Sequence, residues 1–497
     1  ATKNIQVVEF REQAQQFDTG GNHMNHVNGS VIDAERMLGV KEWWTVNSRS
    51  DIQIEDVRSR PEDTTIGMRD TDPEVGFFVY FDPEQIKGGE DVKTALTLSL
   101  SRPSAPGAEL GDTSIEGVSF KLGGVEYVLT SPAIAAAKTY VAWRDALEAA
   151  AKTVKGLEGL SFVLNKDNSV TLIDAAGGEF QKGSWKFVGN NVPADGDLVW
   201  KQTIGVPERT EKLVETNIHL DNVGRTSQGG ALDVGSLGDG GVQKFNVEVE
   251  RSSWLTSMKS TEHLVNNAPG NGPVREYLEE VYLVNKGTTA NNLTVGTAVF
   301  VNDVRHPDNR VSTDGLTNVR IVDGSAFKGE LNLGIQLDAN ALGRYLNQAN
   351  EPVEFNYTTG VKNDTVNLFV DGAVAEDPDF IMNVNTGAGD DRLILEVKVT
   401  TDAAARPDLA STSIDGGTGT NTLVVRSDVG MNAGNTFKSF KNFQNYEVEG
   451  AGSSHNFTNL NGVKTVVVAT DAGTSNTLVD LPSDLASISL SGKNQNI

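Results

Sequence analysis

Cysteine is absent from this chain of 497 residues, which excludes disulfide bonds, thiolate metal sites and cysteine nucleophiles together. The redox compartment stays open. No apolar run reaches the ~18 residues of a membrane span, and the opening Ala1-Thr-Lys-Asn-Ile-Gln has no apolar signal region. Membrane insertion and export by a leader on this sequence are therefore not expected, and synthesis in a cytoplasm is. Basic residues are in deficit, 42 against 67 acidic ones, for a formal charge of −25. Phosphate recognition needs clustered Lys and Arg, so direct nucleic-acid binding is not expected. An acidic surface suits solubility at high concentration, and also divalent cations. The 15 prolines are far outnumbered by 51 glycines, a balance that points to many tight turns between short strands.

The length exceeds what one hydrophobic core usually organises, so three or four domains are expected, mainly β. The first, 1–110, is an N-terminal arm (1–45) followed by β-rich sequence. Val75 to Phe81 and Ala95 to Leu100 have the content of strands, and Ser48 to Arg58 offers Ile52, Ile54 and Val57 as a buried face. The segment from Ser101 to Asp112 reads as a linker. The second domain, 111–195, is a small α/β module. A hairpin runs from Val118 to Thr130 through Gly123-Gly124, then Tyr140, Trp143, Leu147, Ala150 and Val154 mark an amphipathic helix. A strand pair follows, Leu160 to Leu164 and Ser169 to Ile173, and the four strands are expected to form the sheet that covers the helix.

The third domain, 196–350, reads as β-rich, with a Gly-rich loop at 228–241 and an alternating strand from Lys244 to Glu250. Tyr277 to Val284 and Thr297 to Val301 are further strand candidates, and Ala339 to Gln348 a short helix. The last domain, 351–497, is the informative one. Short apolar runs recur at Val366–Val370, Leu393–Val399, Leu423–Val425, Val466–Val468 and Ile488–Leu490, punctuated by Gly, Asn or Asp. Strands cornered this way indicate a stacked β architecture, a parallel β-roll or β-helix.

Thr386-Gly-Ala-Gly-Asp-Asp-Arg-Leu-Ile394 and Gly416-Gly-Thr-Gly-Thr-Asn-Thr-Leu-Val424 match position by position, and Thr359-Gly-Val-Lys-Asn-Asp-Thr-Val-Asn367 keeps the second and sixth places. These stretches resemble the nonapeptide of the calcium-binding repeats in RTX proteins. By that resemblance Asp391, with Asp390, supplies the carboxylate, Gly387 and Gly389 offer carbonyls, and Asn421 stands at the matching place in the next copy. The cofactor so implied is calcium. The copies begin 27 and 30 residues apart rather than in tandem, and Asn421 carries no charge, so a turn without an ion is the reading set ahead of it. Over 380–475 the order of turns and strands resembles the β-solenoid of RTX-type bacterial surface-layer proteins. The module around Ala146-Leu-Glu-Ala-Ala150 and Ala175-Ala-Gly-Gly-Glu-Phe180 is similar in outline to modules of tailed-phage structural proteins.

Catalytic patterns are poor. His23-Met-Asn-His26 lacks metalloprotease spacing, Gly235 to Gly241 lacks the Lys-Ser/Thr of a phosphate loop, and carboxylates such as Asp112 and Glu116 pair by chance in so acidic a chain. The expectation is a non-enzymatic subunit of an ordered assembly, a tailed-phage virion protein of tail tube, sheath or appendage. Its partners would be identical subunits and other virion proteins, with loop 228–241 and arm 1–45 as candidate inter-subunit segments. A calcium-dependent surface-layer or adhesin protein at the bacterial surface is the alternative. A phage protein that degrades polysaccharide is the third reading.

Overall fold

The computed structural model describes residues 5–13, 29–86, 94–100, 115–164, 170–174, 180–181, 184, 186–189, 200–205, 213–225, 227–238, 240–263, 275–301, 304–306, 308–346, 352–398, 412–426, 437–449, 454–469 and 476–491. The expected linker from Ser101 to Asp112, the pair His23 and His26, and the stretch Ala175–Gly178 lie outside them. The fold is mainly β, with large parallel sheets.

The chain forms two compact units, 1–86 with 213–497, and 87–212. These borders differ from the expected ones. A single set of sheets crosses position 350, where Ile321–Asp323 pairs with the strand Val353–Thr358, so residues 196–350 and 351–497 are not separate. The first 86 residues belong to that same unit.

In the larger unit, successive strands alternate between two sides of one core. One side is an eleven-stranded sheet whose order follows the chain, from Val7–Phe10 through Glu42–Val46, Thr65–Arg69 and Glu215–Asp221 to Phe440–Lys441. The other side carries a five-stranded and a ten-stranded sheet. All pairings in these three sheets are parallel, for example Lys244–Arg251 against Glu280–Asn285. Parallel pairing leaves each strand to bury its inward side chains, and Lys244–Arg251 does so with Phe245, Val247 and Val249 while its other residues point away. Burying each such side chain stabilises the fold by roughly 1.5–3 kcal/mol. The five apolar runs at 366–490 fall in strands of the ten-stranded sheet, save Val399, which lies outside the described residues, and Ile52, Ile54 and Val57 are buried as expected.

Two expectations change here. Residues 228–241 are not a free loop, because Ala231–Ser236 is a strand of the five-stranded sheet with Leu232 and Val234 in the core. The arm 1–45 contributes strands Val7–Phe10, Ser30–Asp33 and Glu42–Val46, placed by parallel pairing. The short helix expected at Ala339–Gln348 is present over 340–346, with the wide-turn segment Leu342–Leu346, and 347–348 lie outside the described residues.

The smaller unit keeps the expected elements but sorts them differently. Helix Tyr140–Ala151 starts where the Thr139 hydroxyl accepts the Ala142 N–H at 3.2 Å, and it buries Tyr140, Trp143, Leu147 and Ala150. The two strand pairs do not make one sheet. Gly117–Leu122 and Val125–Thr130 join Lys186–Val188 in a three-stranded sheet, while Leu160–Leu164 and Val170–Asp174 join Thr94–Leu100 and Trp200–Gly205 in a four-stranded one. These last two strands both lie beyond the expected borders of the module, 111–195.

Candidate functional site

The three glycine-bearing stretches become three six-residue turns, 359–364, 386–391 and 416–421. Each leads from a strand of the eleven-stranded sheet to one of the ten-stranded sheet. Sheet pairing on both sides fixes the turns one above another at the spacing of parallel strands. Their backbones then bond directly. Ala388 N–H donates to Gly360 O at 3.0 Å, Thr418 N–H to Gly387 O at 2.9 Å, and Gly389 N–H to Thr418 O at 2.9 Å.

So close a stack decides the glycines. Gly387 and Gly417 have φ of +79° and +69°, a region that side chains rarely occupy. A Cβ on Gly387 would lie 2.0 Å from Gly360 O, and one on Gly417 would lie 1.8 Å from Gly387 O. A Cβ on Gly389 would likewise lie 2.3 Å from the Lys362 carbonyl oxygen, so the third copy keeps the turn although Lys362 replaces a glycine.

The sixth residue of each turn forms a ladder. Asp364 Oδ1 accepts from Leu331 N–H at 2.7 Å, Asp391 Oδ1 from Asp364 N–H at 2.8 Å, and Asn421 Oδ1 from Asp391 N–H at 3.0 Å. Gln444 Oε1 continues it by accepting from Asn421 N–H at 2.8 Å. Asp390, which is exposed, accepts the Thr420 N–H at 2.7 Å. Each rung therefore satisfies a buried donor one turn away, a contribution of about 1 kcal/mol or more per bond to a charged acceptor.

Burial pushes the Asp364 carboxyl up to about 7, with repulsion from Asp391 adding to it, and pushes Asp391 up to about 6. Asp391 Oδ2 is buried without a hydrogen-bond partner. The adjacent Thr386 hydroxyl donates to Gly416 O at 3.0 Å.

The residues expected to hold calcium are thus brought together, Asp391 beside Asn421 and Asp390 one residue away. Most of their oxygens are already engaged, the buried Asp391 Oδ2 excepted. The ion takes about six to eight oxygens, whereas Asp391 Oδ1, Asp390 Oδ1, Asn421 Oδ1 and Gly387 O already accept backbone N–H groups.

Two other groups have ligand atoms close enough for a metal among the described residues, His306 with Asp308 and Glu449, and Asp33 with Glu35 and Asp56. Arginines occupy both. Arg310 bonds Asp308 and Glu449, and Arg58 pairs with Glu35 and Asp56. A further buried carboxylate, Asp233, accepts the Thr261 N–H at 3.0 Å, the Thr261 hydroxyl at 2.5 Å and the Tyr80 hydroxyl at 3.3 Å. It tethers Thr261 to the sheet.

No family model matches this chain, and neither curated proteins nor solved structures give a match. The site's reading therefore rests on its own geometry. Sequence reasoning found the turns and rungs Asp391 and Asn421. It missed Gln444 and the arginine-centred cluster, whose partners are up to 139 residues apart and share no local pattern.

Proposed function

We propose that this protein is a non-enzymatic structural subunit whose larger unit is a β-solenoid, built to stand in an ordered assembly of its own copies. The observation that carries the reading is the parallel pairing throughout the long sheets, with polar groups of successive turns bonded to one another. Such an architecture adds length by repetition and presents long outward faces, here in a strongly acidic chain. Among the described residues, Val7–Phe10 and Ser30–Asp33 are edge strands of their sheets, the place we assign to a strand from a second copy. The assembly we favour is a tailed-phage virion, in a tail tube, sheath or appendage. The small α/β unit, with its hairpin, helix and strand pair, supports this placement.

Electron microscopy of the purified protein tests the proposal, with and without a chelator, beside an assay on host polysaccharide. Rings, tubes or sheaths that withstand chelation are expected. Assembly or folding lost on chelation favours a calcium-dependent surface-layer or adhesin protein. Turnover of polysaccharide favours a glycan-degrading tail protein. A monomer at high concentration with calcium present overturns the assembly itself.

A further inference from the structure

In a stack of β-coils each coil touches its neighbours, so stability is passed along one step at a time. One short segment departs from this rule. Residues 308–312 cross the outward face of the ten-stranded sheet instead of following a strand. The row beneath them is fixed by register: Gly334, Asn367, Ile394, Val424 and Glu447 stand opposite one another on successive strands.

The segment lies directly on that row. A Cβ on Gly334 would meet the Ser312 carbonyl oxygen at 1.8 Å, although this glycine has no positive φ. Close approach is the reason for the glycine. The Asn367 side-chain amide donates to Val311 O at 2.6 Å, and that of Asn332 to Asn309 O at 2.8 Å. From there the Arg310 side chain, 2% exposed, reaches Glu449 through two bonds of 2.6 Å and Asp308 through one of 2.7 Å. Arg392 fastens Asp308 from below at 3.2 Å. Ile394 and Val424 point outward, away from the main core, yet both are fully buried.

We propose that residues 308–312 are a latch that ties five coils, from Leu331–Leu337 to Asn445–Val448, into a single opening unit. The span is four strand spacings, roughly 19 Å, which no contact between adjacent coils covers. A buried arginine bonded by two carboxylates is costly to break, because either partner left alone is a desolvated charge. Opening any of the five coils therefore strains the same tie. The inference uses strand register and side-chain contacts, and it stands whether or not copies assemble.

Hydrogen-exchange mass spectrometry of the full chain tests it, with Arg310→Met and Gly334→Ala compared to the wild type. The first removes the tie, and the second lifts the segment without touching a charge. Both are expected to speed exchange at least tenfold in Arg392–Lys398, Thr422–Val425 and Asn445–Val448 alike, while Glu42–Val46 and Thr65–Arg69 keep their rates. Acceleration confined to 308–312 and Leu331–Leu337 would reduce the contact to a local ion pair and overturn the latch. Equal acceleration reaching Glu42–Val46 would overturn it too, since the whole stack would then already open as one.

Discussion

Two glycine turns, one in each unit, look alike in sequence and differ in what they require. Gly123 and Gly124 close the hairpin of the smaller unit with φ of +57° and +79°, and a Cβ on either would meet nothing within 4 Å. Gly387 and Gly417 have similar angles, but a neighbouring carbonyl lies 2.0 Å or less from where their Cβ would be. The hairpin needs only a backbone angle. The stack needs the angle and the missing side chain together. Parallel stacking converts a local preference into a packing constraint, and the same crowding governs the polar groups buried inside the turns.

The largest effect follows at Gly417. Gly417→Ala adds left-handed strain of about 1–2 kcal/mol and forces the Gly387 carbonyl away, so a loss of roughly 3–5 kcal/mol is expected. Urea unfolding followed by far-ultraviolet circular dichroism measures it. A loss below about 1 kcal/mol would mean that the turns are not stacked this closely.

Next comes His455, buried against Tyr446, whose hydroxyl lies 2.8 Å from Nδ1, while Nε2 has no partner. Burial lowers its pKa to about 4. The folded form holds the neutral ring, so its contribution is complete above the unfolded value of ~6.5 and is lost as pH falls from there toward 4. Between pH 7 and pH 5 the wild type should lose on the order of 2 kcal/mol from this group. In His455→Leu that part of the pH dependence should vanish, as urea midpoints at the two values will tell. An unchanged pH slope would place water beside the ring.

Asp391→Asn comes third, and it compares two rungs of one ladder. Asn421 already fills the equivalent place, donating from Nδ2 to Asn442 O at 3.0 Å while Oδ1 keeps the rung. The Asp391 carboxyl, raised to about 6, favours its protonated form in the fold, so stability is present below ~3.9 and lost as pH rises through 6. The asparagine has no such loss. A gain of about 1–2 kcal/mol at pH 8, shrinking toward zero near pH 4, is expected in the same unfolding experiment. A variant less stable at pH 8, beside a wild type that calcium stabilises, would return the carboxylate to an ion-binding role.

How much of this was legible depended on whether cause and effect sat close in the chain. Helix Tyr140–Ala151 and the hairpin at Gly123-Gly124 were readable because periodicity and turn chemistry are local. The strands from Val366 to Leu490 were readable because glycine and asparagine punctuate them. The same stacking before residue 350 was not, although Lys244–Arg251 shows its alternation plainly. There the smaller unit separates Thr65–Arg69 from its partner Glu215–Asp221, and a strand cannot announce a neighbour that far away. Residues 228–241 misled because glycines that admit close backbone approach, such as Gly235, whose Cβ would lie 1.8 Å from the Thr261 carbonyl oxygen, look like loop residues on paper. Arg310 gave no signal, since only the fold brings Glu449 to it.

The smallest effect belongs to the open turn and closes the comparison. Gly123→Asn places a residue that tolerates the left-handed region where no atom opposes its Cβ. Asn-Gly is the favoured pair for a two-residue hairpin loop, so the change should alter stability by less than about 0.5 kcal/mol. The matching substitution in the stack, Gly387→Asn, meets the Gly360 carbonyl and should cost several times more. Thermal unfolding of the two variants side by side separates angle from space. Equal costs would mean that backbone angle alone sets both turns, and that the neighbouring coil imposes nothing on the chain beneath it.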